Sequence, residues 1–481
     1  MQSSGLPKHL PAPTVLSRVK SGLLVAAFIR DPVGALERYF MPAGRAVEIT
    51  ALRRGRVRQL FMYDPDYNRQ FLLNTRNTQI SQLWPATPRH SAAQRELRTQ
   101  PLKNYGPQQA AFTQITDPYL SRGAIARQFE DIRASVLAEV TGWKPGVHDF
   151  YTLARRCTER VAFTLLFGTH ESGRFSAFGD LVHEYHRANW AAAARLFPVD
   201  WPGTAYRHVL DEAKTLQSYI RDWIRSAAAT PEGRSLVQSL VQGKGHDGCP
   251  FSQGSITAAI AMLSWLSYET TATALSWATL LLAEHPAVLA DLLDEIAANA
   301  PIENIDANTL MALPLLDAVV KEGMRLIPPV PFMGFRTVND TEIAGQALAR
   351  GSRFYVVPQL THRLPEIYTA PDRFRPGRWF SIKPTPYEYL PFGAGQRRCP
   401  GAWLAETNLK LALAMMLSRF RPSVPAGARF DRTYAVVTMP KNGVPLDLQP
   451  RDQNVAIAPT GSHSGSIYDL FTPEPDRPVI H

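Results

Sequence analysis

The decapeptide FGAGQRRCPG at residues 392–401 decides how the rest of the chain is read. Phe392, Gly395, Arg397, Cys399 and Gly401 carry its pattern, which average residue usage would produce in roughly one chain in ten thousand of this length. A cysteine that ligates iron must sit in a fixed loop, and glycines let the backbone turn tightly and approach the sulfur. Backbone N–H groups aimed at the sulfur tune its electron donation. The run AWLAETNLKLALAMMLSRF that follows reads as a helix, so its positive N-terminal end is expected near the sulfur, favouring the thiolate. Arg397 is placed to reach a carboxylate on a bound cofactor.

Upstream, the apolar run around LSYETTATALSWATLLLAEHP predicts a long buried helix carrying Glu269 beside Thr270. Such a pair is ordinarily solvated or back-bonded to its own helix. Buried glutamate is costly without a purpose, so here the pair is a candidate acid and alcohol. KEGMRL sets Glu322 and Arg325 three apart on one helix face, a common spacing that gains weight from PPVP at 328–331 and PDRFRPGRW at 371–379. His362 reads as a structural hydrogen-bonder, Cys157 as core and Cys249 as a free loop thiol.

The remaining pattern is mostly helical. Helices are expected over 125–141, 149–167, 173–195, 205–228 and 254–285, with two short strands meeting near Gly55 and a helix after Asp64. A hairpin is expected over 430–449. Residues 1–45 form a segment broken by prolines, 46–450 a single domain with a small β-rich lobe and a large helical lobe, and 451–481 a loose tail.

Bulk properties narrow the function classes. The chain has 481 residues, 45% hydrophobic and 20% charged, enough for a core that encloses a cofactor. Lys plus Arg total 52 against 42 Asp plus Glu, a formal charge of +10. No dense basic run with interleaved aromatics occurs, which argues against nucleic acid. The excess reads as a solvated basic surface or as a face for an acidic partner or an anionic membrane, and Arg398, Lys410 and Arg419 near the cysteine loop favour an acidic redox partner. Three cysteines imply no disulfide framework. The apolar stretch 22–29 is too short for a transmembrane anchor, so a cytoplasmic protein is expected.

The decapeptide, the acid–alcohol pair and the Glu322 region together resemble the cytochrome P450 family. The resemblance implies the mainly α fold with small β-sheets, haem b (iron protoporphyrin IX) lying between the long central helix and the cysteine loop. It implies Cys399 as the iron ligand, and Phe392, Gly395, Arg397, Gly401 and Arg336 as cofactor-binding residues. Thr270 and Glu269 become the oxygen-binding alcohol and proton-relaying acid. Glu322 and Arg325 are implied to meet Arg378 in a structural network. Leu266, Ser267, Val330 and Phe332 are pocket candidates, along with 82–106, 176–210 and the hairpin near 436–439. The implied activity is monooxygenation of a lipophilic or aromatic small molecule, in specialised metabolism. Electrons would come indirectly from NAD(P)H through an acidic ferredoxin or flavodoxin and its reductase, to a monomer.

The sequence departs from the family at two places. Leu266 and Ser267 stand where small residues are usual, which keeps open a peroxygenase, an oxidative coupling or cyclisation, or an isomerisation; a haem-binding sensor or carrier is the non-enzymatic alternative. Gln109 and Thr113 stand where the family has groups that touch the haem propionates. His90, Lys103 and Tyr105 are the candidate substitutes.

Overall fold

The computed structural model describes residues 12–50, 55–74, 77–81, 88, 90–98, 107–168, 173–229, 235–245, 247–299, 301–451 and 463–473. The run 253–283 has no polar stripe, and a helix apolar on every side is stable only inside a protein. It forms one unbroken helix, Gln253–Ala283. The Ser252 side chain starts it by accepting from the Ser255 N–H at 3.1 Å, and Pro286 opens the next helix. Helices Phe150–Phe167, Phe175–Trp190, Ala205–Ala229, Pro314–Leu326 and Ala402–Arg419 pack around this central helix. Trp277, buried in the central helix, donates its indole N–H to the Thr438 carbonyl at 2.8 Å.

The β-rich lobe is a six-stranded sheet in the order Thr14–Leu16, Ala46–Ile49, Gln59–Met62, Arg353–Val356, Met333–Thr337, Thr78–Ile80. The strands expected around Gly55 lie within it, Ala46 pairing with Met62 and Glu48 with Leu60. Phe28, Phe40, Phe61, Phe332 and Tyr355 form an aromatic core on this lobe.

Several local expectations change. The expected hairpin over 430–449 is split: Arg432–Tyr434 pairs with Thr438–Pro440, whereas Pro445–Pro450 joins Phe420–Ser423 and Gly146–Asp149. Alternation marks a strand without naming its partner. The helix expected over 173–195 breaks at Ala191 into Phe175–Trp190 and Ala192–Leu196. Prolines do not prevent a helix at Arg18–Arg30, because Pro32 falls in the first turn of the next one.

Residues 463–473, expected within a loose tail, are docked. Leu470 and Phe471 are buried. Arg363 donates to the Leu470 carbonyl at 2.7 Å, and Tyr468 donates to Glu284 at 2.5 Å. Arg432 bridges Asp31 at 2.8 Å and Asp469 at 3.4 Å, and Arg38 reaches Asp469 at 2.9 Å. Phe471→Ala is therefore expected to lower the unfolding free energy by about 3 kcal/mol. Chemical denaturation checks this, and an unchanged midpoint would mean that the segment contributes nothing to the core.

Candidate active site

The cysteine loop is shaped by its glycines. Gly395 adopts φ +64°, and a Cβ there would lie 2.5 Å from the Leu72 carbonyl oxygen, so no other residue fits. The Cys399 N–H donates to the Phe392 carbonyl at 2.8 Å and closes the loop. Helix Ala402–Arg419 begins just beyond, with Gly401 as its cap. The Cys399 sulfur lies deep in the molecule yet faces open space. Burial pushes its thiol up, against the opposing effects of the Gly401 N–H and Arg398. A metal cation is the group whose charge would hold this sulfur deprotonated.

The loop rests on a buried ion network. Glu322 and Arg325 are both fully buried. Glu322 accepts from Arg325 Nε and an Nη at 2.9 Å, from Arg378 Nε at 3.0 Å, from the Arg375 backbone N–H at 2.9 Å and from Trp379 Nε1 at 3.0 Å. Arg325 also donates to the carbonyls of His362, Pro371 and Arg373. His362 Nδ1 faces the Arg325 carbonyl at 3.2 Å, and its Nε2 accepts from the Leu390 N–H at 2.8 Å. Both ring nitrogens are therefore occupied, and burial beside Arg325 pushes the imidazole well below its usual range. His362 hands the network on to Leu390, two residues before Phe392.

The central helix is buried almost throughout, but Leu263, Ser267 and Thr270 are half-buried and Leu266 is 40% exposed. These positions follow helical spacing, so they form one open stripe. Thr270 donates to the Leu266 carbonyl at 3.1 Å and Ser267 to the Ser264 carbonyl at 3.1 Å. Glu269 faces elsewhere. Its carboxylate is fully buried, accepts from the Tyr151 hydroxyl at 2.6 Å and lies 3.6 Å from His183 Nδ1. The adjacent pair in sequence is thus divided in space. Tyr151 and His183 were not visible as site residues, because neither belongs to a local motif and Tyr151 meets Glu269 across 118 positions.

Arg336 stands on the strand Met333–Thr337, and its Nε is buried without a hydrogen-bond partner. Arg397 approaches the Thr78 carbonyl at 3.5 Å. Val330 is half-buried. Phe332 is instead built into the aromatic core, stacked on Tyr434 at 4.8 Å and packed on Phe28, which removes it from the pocket candidates. Thr113 is exposed, and His90 packs on Tyr206 at 5.4 Å. Lys103, Tyr105, the Gln109 side chain and most of 82–106 lie outside the described residues. Val436, at the tip of the 432–440 hairpin, has φ +73°, a strained conformation for a β-branched residue.

Two basic residues expected near the loop are placed otherwise. Lys410 is buried in an ion pair with Asp317 at 2.8 Å. Arg419 ends an 18-residue helix, about 25 Å from the loop at 1.5 Å per residue. The cations beside the loop are Arg398 and Arg122, whose guanidiniums lie 6.0 and 5.1 Å from the Trp403 ring.

A family model for cytochrome P450 matches residues 130–446 of this chain. The chain belongs to the cytochrome P450 family. This P450 is 28% identical over 332 residues to putative cytochrome P450 139 of Mycobacterium tuberculosis (strain ATCC 25618 / H37Rv), covering 67% of this chain and 76% of the relative. It is 24% identical over 376 residues to abscisic acid 8'-hydroxylase 3 of Oryza sativa subsp. indica, covering 76% and 73%. A solved structure of retinoic acid-bound cyanobacterial CYP120A1 superposes with a TM-score of 0.75 at 21% identity, over 92% of this chain and all of that one. This P450 is a haem-thiolate monooxygenase with the P450 fold. The residues present fit that group: an exposed cysteine in a fixed loop, a glycine cradle with no room for a side chain, and a buried arginine nitrogen without an anion. Among the described residues no helix is long and apolar enough to cross a membrane.

Two outcomes follow from this geometry. Gly395→Ala forces a side chain against the Leu72 carbonyl, and the purified variant is expected to carry much less haem per chain by pyridine haemochrome assay. Glu322→Gln removes the buried charge facing Arg325 and Arg378 and is expected to cost about 3 kcal/mol in chemical denaturation at pH 7. Although burial opposes it, Arg325 and Arg378 hold the Glu322 carboxyl below its ordinary 4.5. A lowered folded pKa adds stability above the unfolded value, lost as pH falls through the folded one. The deficit of Glu322→Gln should thus shrink below about pH 4.5. A deficit constant with pH would mean that Glu322 is not ionised in the fold.

Proposed function

We propose that this P450 inserts one oxygen atom from dioxygen into a lipophilic or aromatic small molecule, in specialised metabolism and in the cytoplasm, with haem b as its cofactor. The observation that carries this reading is the open stripe of Leu263, Leu266, Ser267 and Thr270 midway along a helix that is mostly buried. Its two leucines and two hydroxyls, Ser267 and Thr270, suit a substrate held by dispersion and oriented by few polar groups.

Cys399 would ligate the iron, Arg336 and Arg397 would hold the propionates, and Phe392, Gly395 and Gly401 would keep the loop in shape. Bound there, the haem thiolate supplies dioxygen activation driven by electron donation from sulfur. Thr270 holds its proton on the Leu266 carbonyl, one torsional step from donating into the cleft. Electrons would come from NAD(P)H through a reductase and an acidic ferredoxin or flavodoxin, meeting Arg122 and Arg398 beside Trp403, and the chain would act as a monomer. Leu266 also favours a second reading, because its bulk narrows the space over Thr270: a peroxide-driven reaction that needs no partner.

The reduced carbon-monoxide spectrum tests the reading. The red-shifted band of a thiolate-bound haem is expected for the native chain and its loss for Cys399→Ala; an unchanged spectrum in that variant would overturn the assignment. Lipophilic compounds that bind should shift the ferric iron from low to high spin. Product formed with peroxide alone, and none with reductant and partner, would favour the second reading.

A further inference from the structure

The hairpin formed by Arg432–Tyr434 and Thr438–Pro440 is tied down at its tip and at its base. Near the tip the Thr438 N–H donates to the Pro329 carbonyl at 2.9 Å, next to Val330. The Thr438 carbonyl accepts from the Trp277 indole N–H of the central helix at 2.8 Å. Val436 and Met439 pack on the apolar cluster that Leu263 of the open stripe also borders. The tip thus stands beside the cleft, and it is strained there, since Val436 holds φ +73°. A β-branched residue keeps such a backbone only where its surroundings over-determine it.

The base is laced to residues 464–469. The Phe430 N–H donates to the Ser464 carbonyl at 2.8 Å, and the Phe430 carbonyl accepts from the Ile467 N–H at 3.1 Å. Gly465, between them, has φ +131°, and a Cβ there would collide with the Phe430 backbone, so no other residue fits. The Arg432 N–H donates to Ser466 Oγ at 3.0 Å, and the Ser466 N–H donates to Asp431 at 3.0 Å. The Arg432 side chain is only 2% exposed and is shared by Asp31 at 2.8 Å and Asp469 at 3.4 Å. A buried cation must keep its anions, so the hairpin cannot shift without dragging both carboxylates. Asp469 is itself gripped by Arg38, and its neighbour Tyr468 donates to Glu284 just past the end of the central helix. Central helix, hairpin and this segment therefore close into one frame, joined through Trp277, Arg432 and Glu284.

We propose that Ser466 and Asp469 are positioning residues for the substrate. They hold the base of the hairpin, and through it they set where Val436 and Met439 stand along the cleft of Thr270, without meeting the substrate themselves. A segment distant in sequence from the central helix and the cysteine loop thereby shapes what the cleft accepts.

This inference rests on the reading of the open stripe as the substrate site of a haem-thiolate enzyme, and the test keeps the two apart. The probes are imidazole and clotrimazole, titrated into the ferric holoenzyme by the red shift of its Soret band. Imidazole needs only the open position on iron, whereas clotrimazole carries the same donor nitrogen on a triaryl group that must also fit the walls. In Asp469→Asn, and separately in Ser466→Ala, the Kd for clotrimazole is expected to rise about fivefold or more. Imidazole affinity, haem content and the carbon-monoxide band should match the native protein. Asp469→Glu should recover most of the clotrimazole affinity. Phe471→Ala weakens the packing of the same segment but leaves its bonds to the hairpin, so it should lower stability and keep the native ratio of the two constants. A native protein without the thiolate band, or without a Soret response to imidazole, would end the haem-thiolate reading itself. With the band intact, native clotrimazole binding in both variants would overturn the positioning role alone. So would an equal loss of imidazole binding, or a loss that Phe471→Ala reproduces.

Discussion

Glu322 carries a negative charge at a position with no access to water, and the rest of the site depends on how that charge is satisfied. A lone carboxylate there would be prohibitively costly. Arg325, Arg378, the Arg375 amide and the Trp379 indole all converge on it. Because every lone pair is matched, the network tolerates one arrangement. Arg325 passes that rigidity to three backbone carbonyls, and His362 passes it to Leu390. The cysteine loop therefore hangs from an ion cluster on another helix and does not rely on its own short turns.

The same helix that closes the core opens the cleft. The central helix is buried over most of its length, and past its first turn exposure returns mainly where Leu263, Leu266, Ser267 and Thr270 follow each other at helical spacing. Glu269 is rotated about a hundred degrees from Thr270 on that helix, so neighbours in sequence serve different surroundings. The alcohol looks into the cleft, and the acid looks toward the flanking helices. Any proton that passes between them must cross the helix surface.

Much of this was legible in the sequence where the chemistry is local. The cysteine loop is a contiguous pattern whose glycines have one steric reason, and Glu322 with Arg325 is a helical spacing. The long helix was plain from its unbroken apolar run. The direction in which Glu269 points was not legible, because the rotation of a helix apolar all round is fixed by its neighbours. Sequence proximity misled for Lys410, which is consumed by Asp317, and for Arg419, which the helix carries away from the loop. Phe332 joined an aromatic core that no local pattern marks. Residues 463–473 look polar and loose, yet three apolar side chains, Ile467, Leu470 and Phe471, dock them in the core.

The Arg432 bridge has a bearing on how the molecule is made. Asp31 and Arg38 find their partners only once residues 432 and 469 have left the ribosome. Until then the β-rich lobe lacks its last fastening, and the two lobes stay joined through fewer contacts. Birth order thus makes this bridge one of the last long-range fastenings that the emerging chain can form.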